Sequence, residues 1–245
     1  MRKTKVVRNN RHYNFWVEKK PISLSIPLFN FWHTRMLQKA AEKIKNIRSL
    51  KILEVGIGFG YFAKAVKKLG CKYFAVEMNE KLANNLKKQG FDVTCGVAPP
   101  FPNKPDIGVI WLSHVLEHSV TYLGAREFIE KAYLALKPGG YIIIISPDIL
   151  SWKMEFWYDD WSHGFPTSLV NCTKILNDVG FTVTYRGYHN ATVFQPILQY
   201  IINLIMQLIP YSFLDFLTRP FTKRSLFYSF MSLFGWRQIY LIGKK

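Results

Sequence analysis

The sequence predicts an α/β fold in which a parallel sheet is covered by helices on both faces. Short, strongly apolar segments such as SLKILEVG (49–56) and YIIIISP (141–147) have the composition and length of buried strands. The segments between them carry helical apolar spacing and good helix formers. Because strand and helix alternate along the chain, parallel strands joined by helical crossovers are the expected arrangement.

Each element follows from a local signal. Glycines directly after a helical pattern, at Gly70 and Gly90, mark helix ends. Two late segments, FTVTYR and RQIYLIGKK, alternate or run apolar as strands do. The sequence therefore predicts helices over 31–47, 61–70, 79–90, 125–136 and 168–180, and strands over 49–56, 72–77, 91–96, 106–112, 141–147, 181–186 and 237–245.

Three glycines at alternate positions, Gly56, Gly58 and Gly60, follow the first strand directly. A strand that turns at once into a helix while a ligand touches its backbone needs positive φ angles and no Cβ in the way. Such turns also occur without a ligand. Glu77 strengthens the interpretation, because it ends the next strand, where a carboxylate can accept hydrogen bonds from both hydroxyls of a ribose.

These motifs resemble those of the class I S-adenosylmethionine-dependent methyltransferases. The glycine spacing after Glu54 is similar to their first motif, and Glu77 stands where their ribose-binding acid stands. DIGVIWLSHVLEH (106–118) and ALKPGGYIIIISPD (135–148) resemble their fourth- and fifth-strand segments. The resemblance covers roughly residues 31–185 and the final strand. It implies a seven-stranded Rossmann-like sheet whose last two strands pair antiparallel, and S-adenosyl-L-methionine as cofactor.

The resemblance also implies a set of cofactor-binding residues. Many relatives carry Gly-Asp-Ala after the third strand, whereas this chain has Cys95-Gly96-Val97-Ala98. We therefore expect backbone groups to take the place of the Asp in adenine recognition. His114 is expected to cap a helix or to pack near the cofactor. The predicted cofactor-binding residues are Glu54, Gly56, Gly58, Gly60, Glu77, Gly96, Val97 and His114.

The candidate catalytic residues are His118, His163 and Asp160. Methyl transfer to a hydroxyl requires removal of a proton, and histidine titrates near neutrality. We expect HVLEH to open a helix and His118 to lie on the same face as His114. His163 and the neighbouring acids, Asp159 among them, follow an aromatic stretch that either stacks on an acceptor or forms the core of a lid.

Composition restricts the partners. The net charge is +17, and both the first 20 residues and residues 186–245 hold seven Lys or Arg against one acid. Basic flanks favour an anionic surface, either lipid headgroups or nucleic acid, although a generally basic proteome has the same effect. The three cysteines have no disulfide or metal-ligand spacing, so we predict a cytoplasmic protein without a metal ion.

The last part of the chain departs furthest from a minimal fold of this kind. Between the final two strands, QPILQYIINLIMQLIP is apolar around a narrow stripe formed by Gln195, Gln199, Asn203 and Gln207. A helix of this kind lies in a membrane interface, or else is buried against the body or in a dimer. The predicted organisation is a basic extension (1–30), a methyltransferase domain (31–186 and 236–245) and a helical apolar insertion (187–235).

Together these features predict O-methylation of a saccharide or lipid-linked acceptor at a membrane surface. The HVLEH-type subgroup that the chain resembles includes enzymes acting on quinone precursors and surface polysaccharides. An RNA methyltransferase is the first alternative, but no Asn/Asp-Pro-Pro-Tyr/Phe motif follows the fourth strand. A cofactor-binding membrane module without turnover is the second, and the intact glycines argue against it.

Overall fold

In the computed structural model the described residues fall into two compact parts, which divide between Ile110 and Trp111. Most of the predicted basic extension and most of the predicted insertion lie outside the described residues, as does Asp159. The described residues are 26–102, 104–158, 160–189 and 237–245, with single positions at 201, 205, 208, 216 and 217.

Seven helices and seven strands are present in the described residues, along with two short 3₁₀ turns. The helices are α1 (Ile26–Lys43), α2 (Tyr61–Leu69), α3 (Glu80–Lys88), α4 (Tyr122–Ala135), α5 (Ile149–Trp152), α6 (Glu155–Tyr158) and α7 (Leu169–Val179). The strands are β1 (Lys51–Val55), β2 (Lys72–Glu77), β3 (Val93–Cys95), β4 (Ile107–Ser113), β5 (Tyr141–Pro147), β6 (Thr182–His189) and β7 (Gln238–Lys244).

The strands form one seven-stranded mixed sheet in the order β3-β2-β1-β4-β5-β7-β6. β1 pairs with β2, and β2 with β3, in parallel, whereas β7 is antiparallel to both β5 and β6. The predicted Rossmann-like sheet with an antiparallel final pair is therefore confirmed. β3 and β6 are the edge strands, and the side chains of β6 alternate between exposed and half-buried.

In the first part of the chain, a glycine stands at each end of helix α2. Gly60 precedes the helix at φ 75° and Gly70 follows it at φ 80°, both in the left-handed region that favours glycine. The apolar face of α2 buries Phe62 and Val66. Asn79 caps α3, because its side chain accepts hydrogen bonds from the N–H groups of the first helical turn.

In the second part, hydroxyl side chains cap the helices. Thr121 accepts a hydrogen bond from the N–H of Gly124 at the start of α4, and Ser168 accepts one from Asn171 at the start of α7. The core contains Trp111 on β4 and Tyr240 on β7, whose rings meet edge to face at 6.4 Å. This core supports the carboxyl end of β5, where the polar residues described below are found.

The HVLEH segment differs from its predicted conformation. We expected it to open a helix that carries His114 and His118 on one face, but only Leu116–His118 is helical, as a single 3₁₀ turn. His114 precedes that turn at φ 55° and donates its N–H to the carbonyl of Ile145 on β5. A left-handed residue cannot belong to a right-handed helix, so the prediction of a shared helical face was wrong.

The close packing around Gly108 on β4 predicts that a side chain at this position lowers the stability of the fold. A Cβ at this position would lie 2.8 Å from Cβ of Leu50, an atom held close to the backbone. Gly108→Ala is therefore expected to lower the free energy of unfolding by about 1–3 kcal/mol. Urea unfolding followed by circular dichroism measures this change.

The matched control is Gly124→Ala in the first turn of α4, where the nearest atom would be at an ordinary 3.6 Å. Alanine is the better helix former, so this variant should gain about 0.5–1 kcal/mol. Equal effects of the two substitutions would contradict the packing assigned to Gly108.

Candidate functional site

The glycine turn after β1 is held by the carboxylate of Glu77. Its Oε2 accepts a hydrogen bond from the N–H of Ile57 at 2.9 Å, and its Oε1 accepts one from the N–H of Asn79 at 2.7 Å. One side chain thus joins the turn to the end of β2. A carboxylate offers about four acceptor positions, so Glu77 retains capacity for hydroxyl donors of a ligand.

Space beside the turn is available at Gly58. This residue has φ 49°, and a Cβ built on it would meet no atom within 4 Å. Gly60 is different, because a Cβ there would lie 2.6 Å from Cδ1 of Leu86. Gly58 thus lines open space that a ligand can occupy, whereas Gly60 is needed for packing against α3.

Gly96 and Val97 follow β3 directly. Because β1, β2 and β3 are parallel, this end of β3 lies at the same edge of the sheet as the glycine turn. The N–H of Gly96 donates to the carbonyl of Glu77 at 2.9 Å, so it is not available to an adenine ring. The side chain of Val97 is exposed. The carbonyl of Gly96 and the backbone groups that follow it remain for the predicted recognition of adenine.

Glu54 is buried beside two other ionisable groups. The hydroxyl of Tyr73 on β2 donates to its Oε2. Burial raises the pKa of Glu54 to about 8, and the nearby Glu77 adds to the rise while Tyr73 opposes it. Burial also raises the pKa of Glu77, against the backbone N–H groups of Asn79 and Ile57. Burial therefore favours the protonated form of Glu54 over its carboxylate.

A histidine cluster lies in the second part of the chain, where the predicted catalytic residues come together. The rings of His118 and His163 meet edge to face at 4.9 Å. His118 Nδ1 contacts the hydroxyl of Ser162 at 2.9 Å, and that hydroxyl donates to Oδ1 of Asp160 at 2.5 Å. Oδ2 of Asp160 lies 3.9 Å from Nε2 of His163.

Glu117 stands at the centre of this cluster. It is completely buried, and its Oε2 accepts a hydrogen bond from Ser146 at 2.7 Å. Oε1 lies 3.3 Å from Nδ1 of His114 but receives no well-aligned hydrogen bond from the described residues. Burial raises the pKa of Glu117, yet His114, His118 and His163 outweigh burial and hold it at about 2.

His114 belongs to this cluster as well. Its Nε2 lies 3.2 Å from Oε1 of Gln238, the first residue of β7. We predicted that His114 would cap a helix or pack near the cofactor. The structure places it against Glu117 and Gln238, within the second part of the chain. Its predicted role in cofactor binding stays a prediction.

The aromatic stretch before His163 divides into two kinds of residue. Trp152 is buried, and its Nε1 donates to the carbonyl of Arg237 at 3.0 Å, so it is part of the core. Trp157 donates from Nε1 to the carbonyl of His163, while Trp161 is exposed. Burial of Trp152 agrees with the core alternative for that residue, whereas stacking of these aromatic residues on an acceptor stays a prediction.

Several residues of these two regions were missed by sequence reasoning. Glu117 was visible as the acid between the histidines of HVLEH, but nothing in the sequence showed that it would be buried. Tyr73 lies opposite β1 in the strand register, a contact that single-strand patterns do not reveal. The missed residues are Ile57, Tyr73, Asn79, Glu117, Ser146 and Ser162.

A family model for a methyltransferase domain matches residues 29–185, which is more than half of the chain. The chain belongs to this methyltransferase family. No curated protein matches this chain in sequence.

Solved structures share the fold of the methyltransferase. A SAM-dependent methyltransferase from Archaeoglobus fulgidus is 19% identical, covers 96% of this chain and 99% of its own, and has a TM-score of 0.59. A putative methyltransferase from Bacillus halodurans is 16% identical, with coverages of 87% and 98% and a TM-score of 0.55.

Phosphoethanolamine N-methyltransferase 2 from Haemonchus contortus, solved in complex with S-adenosyl-L-methionine, is 14% identical with a TM-score of 0.60. The match covers 95% of this chain but only 59% of that one. At these identities the likeness concerns the fold. With the family match it supports S-adenosyl-L-methionine as the cofactor, which the open space at Gly58 and the acceptor capacity of Glu77 fit.

Gly58→Ala is expected to abolish binding of S-adenosyl-L-methionine in calorimetry while the protein stays folded. The added Cβ enters the open space beside the turn, and the left-handed φ costs only about 1–2 kcal/mol. Gly70→Ala is the control, because φ is 80° there and a Cβ also meets no atom within 4 Å. It carries the same backbone strain and should bind normally. Unchanged affinity in Gly58→Ala would remove this residue from the cofactor site.

The protonated Glu54 predicts a pH dependence of stability. Its pKa is about 8 in the folded protein against 4.5 ordinarily, so between these values only the unfolded chain ionises. The free energy of unfolding should therefore fall as the pH rises through this window, at up to about 1.4 kcal/mol per pH unit. Urea unfolding across the window should show a shallower fall in Glu54→Gln. The exposed Glu130→Gln serves as the control, and a wild-type slope in Glu54→Gln would contradict the assignment.

Proposed function

We propose that this methyltransferase transfers a methyl group to a hydroxyl of a lipid-linked or saccharide acceptor at an anionic membrane surface on the cytoplasmic side. The observation that carries this proposal is a set of exposed apolar side chains next to the histidine cluster. S-adenosyl-L-methionine supplies an electrophilic methyl group on a sulfonium. The residues of the chain must then bind the acceptor, exclude water and take up the hydroxyl proton.

The exposed apolar residues lie in or directly after the loops that also carry the two histidines. Val120 and Leu123, shortly after His118, are 84% and 71% exposed, and Trp161, shortly before His163, is 73% exposed. The two loops touch, because a Cβ on Gly164 would lie 2.6 Å from the carbonyl oxygen of Ser119. Clustered apolar side chains on a surface mark binding sites for apolar partners. An acceptor with a lipid portion fits such a surface.

His118 and His163 are suited to proton removal by their hydrogen bonds. Nδ1 of His163 lies 2.5 Å from the carbonyl oxygen of Phe156, which can only accept, so this nitrogen carries a hydrogen. The lone pair of the neutral ring is therefore on Nε2. As the acceptor oxygen bonds to the methyl carbon and the carbon–sulfur bond breaks, its proton passes to an imidazole nitrogen of this pair.

Association with a membrane is supported by two positions in the predicted insertion. Ile201 and Ile205 are helical, lie one turn apart, and are 45% and 53% exposed. No helix in the described part of the chain is both long and apolar enough to cross a bilayer. Binding to the surface is the arrangement that suits exposed isoleucines together with the basic residues Lys223 and Arg224 in the sequence.

The acceptor class can be tested by incubating the protein with methyl-labelled S-adenosyl-L-methionine and lipid, saccharide and RNA extracts. Label is expected in the lipid-linked or saccharide fraction, in a form that resists mild base as a methyl ether does. Label in RNA would overturn the proposal and favour the nucleic-acid interpretation of the +17 charge.

Within that assay, His118→Ala and His163→Ala should each lower kcat by about 10² to 10⁴, the usual effect of losing a general base. His33→Ala is the control, because His33 lies on α1 with its Nδ1 against the carbonyl of Phe29. Near-normal turnover in both cluster variants would contradict the general-base role of these histidines. The chain would then contribute only by positioning the acceptor.

Flotation with anionic liposomes tests membrane association separately. The intact chain should float with the vesicles, and Ile201→Glu with Ile205→Glu should stay below, because the two carboxylates oppose burial of this face in lipid. Added salt should weaken binding of the intact chain only in part, since screening acts on the basic residues and not on apolar burial. A double variant that floats like the intact chain would contradict the assignment.

A further inference from the structure

We propose that Glu117, His118 and His163 bind a divalent transition-metal ion of the Zn²⁺ type. One ligand atom from each residue lies within 4.8 Å of the other two. The inference rests on the proposed function in one respect, because it places the ion where the acceptor hydroxyl loses its proton. It also replaces the expectation, drawn from the cysteines alone, that the protein uses no metal.

His163 has a ring nitrogen prepared for coordination. The carbonyl of Phe156 fixes the hydrogen on Nδ1, and this leaves the lone pair on Nε2. The side chain of His163 is buried, with its ring packed at 4.6 Å from the ring of Phe156. Metal-ligating histidines commonly donate their other N–H to a backbone carbonyl in this way.

His118 has the same tautomer for a related reason. The single hydroxyl hydrogen of Ser162 is directed to Oδ1 of Asp160 at 2.5 Å. Its oxygen must therefore accept from Nδ1 of His118, which lies 2.9 Å away. The lone pair of His118 is again on Nε2. The two imidazoles, whose rings are in contact, thus carry their lone pairs on the same ring atom, Nε2.

Glu117 contributes the negative charge. Its Oε2 is held by Ser146, while Oε1 receives no well-aligned hydrogen bond in the described part of the chain although the residue is completely buried. Nδ1 of His114 lies 3.3 Å from this oxygen, and a cation beside it would compensate the buried negative charge more directly. Asp160, with Oδ2 at 3.9 Å from Nε2 of His163, adds a second negative charge nearby.

The donor set favours a particular class of ion. Two imidazoles with one carboxylate suit zinc, iron or cobalt, whereas magnesium and calcium prefer oxygen ligands. Around Zn²⁺ in a tetrahedral site the ligand atoms lie about 3.4 Å apart, so these side chains would close in on the ion by small rotations. Three protein ligands leave a position open, and a hydroxyl bound there would have a lowered pKa, so that with the ion present its proton would pass to Asp160 or to water instead of to the two coordinated imidazoles.

The test uses the full chain stripped of metal with a chelator and then titrated with Co²⁺ or Zn²⁺. Intense visible absorption of Co²⁺, displaced by Zn²⁺, and one ion per chain in calorimetry are expected. His163→Ala and Glu117→Gln should each weaken binding by more than about 100-fold, and Ser162→Ala by about 10- to 100-fold through loss of orientation of His118. His33→Ala should bind as the unaltered chain does.

Binding of S-adenosyl-L-methionine by each variant shows that it is folded. Failure of the unaltered chain to bind Co²⁺ or Zn²⁺, or equal binding by the folded His163→Ala and Glu117→Gln variants, would overturn the metal site. Hydroxyl methylation that continues in excess chelator would leave the proposed function standing without the ion. Metal binding that depends on these residues, without methylation of any hydroxyl acceptor, would support the metal site and overturn the proposed function.

Discussion

A fully buried carboxylate organises the second part of the chain. Taking a charge out of water is expensive, and it is tolerated only where hydrogen bonds and opposite charges surround it. Glu117 meets this condition through Ser146 on β5 and the histidines around it, and its backbone carbonyl accepts the N–H of Phe165. The 3₁₀ turn, the end of β5 and the loop after α6 thus meet at one residue, the last of them through its main chain. Removing the carboxylate would leave Ser146 and the histidines without their shared partner, while the backbone bond to Phe165 would remain.

The first part of the chain uses the same device at its glycine turn. Glu77 is also a buried carboxylate, but it is satisfied by backbone N–H groups on both sides of the turn rather than by histidines. Main-chain N–H groups keep their hydrogens, so the donors to Glu77 are constant, but the carboxylate itself titrates and burial raises its pKa. The two buried carboxylates thus differ in their partners, because backbone donors hold Glu77 and histidine side chains surround Glu117.

The sequence predicted the sheet and the glycine turn because both depend on neighbours along the chain. Gly56, Gly58 and Gly60 are read from their spacing, and all three have positive φ. Contacts across the fold were not predictable in this way. Tyr73 reaches Glu54 through strand register, and Ser146 reaches Glu117 across 29 positions of sequence. The helix expected at HVLEH failed because apolar spacing cannot show that His114 must turn back to bond with Ile145. For the predicted apolar insertion, the sequence shows that a helix would have a wide apolar face, but it does not show what would cover that face.

The two ends of that insertion have a fixed position. His189 at the end of β6 pairs with Gln238 at the start of β7, and Gln238 pairs in turn with Pro147 on β5. Arg237, directly before β7, is held by an ion pair with the buried Asp148. β6 and β7 therefore pair as antiparallel neighbours across a long connection, and added loop length costs little in closure entropy. Insertions and deletions between β6 and β7 should therefore be tolerated without loss of the sheet, because the pairing of Gln238 with its two neighbours does not depend on them.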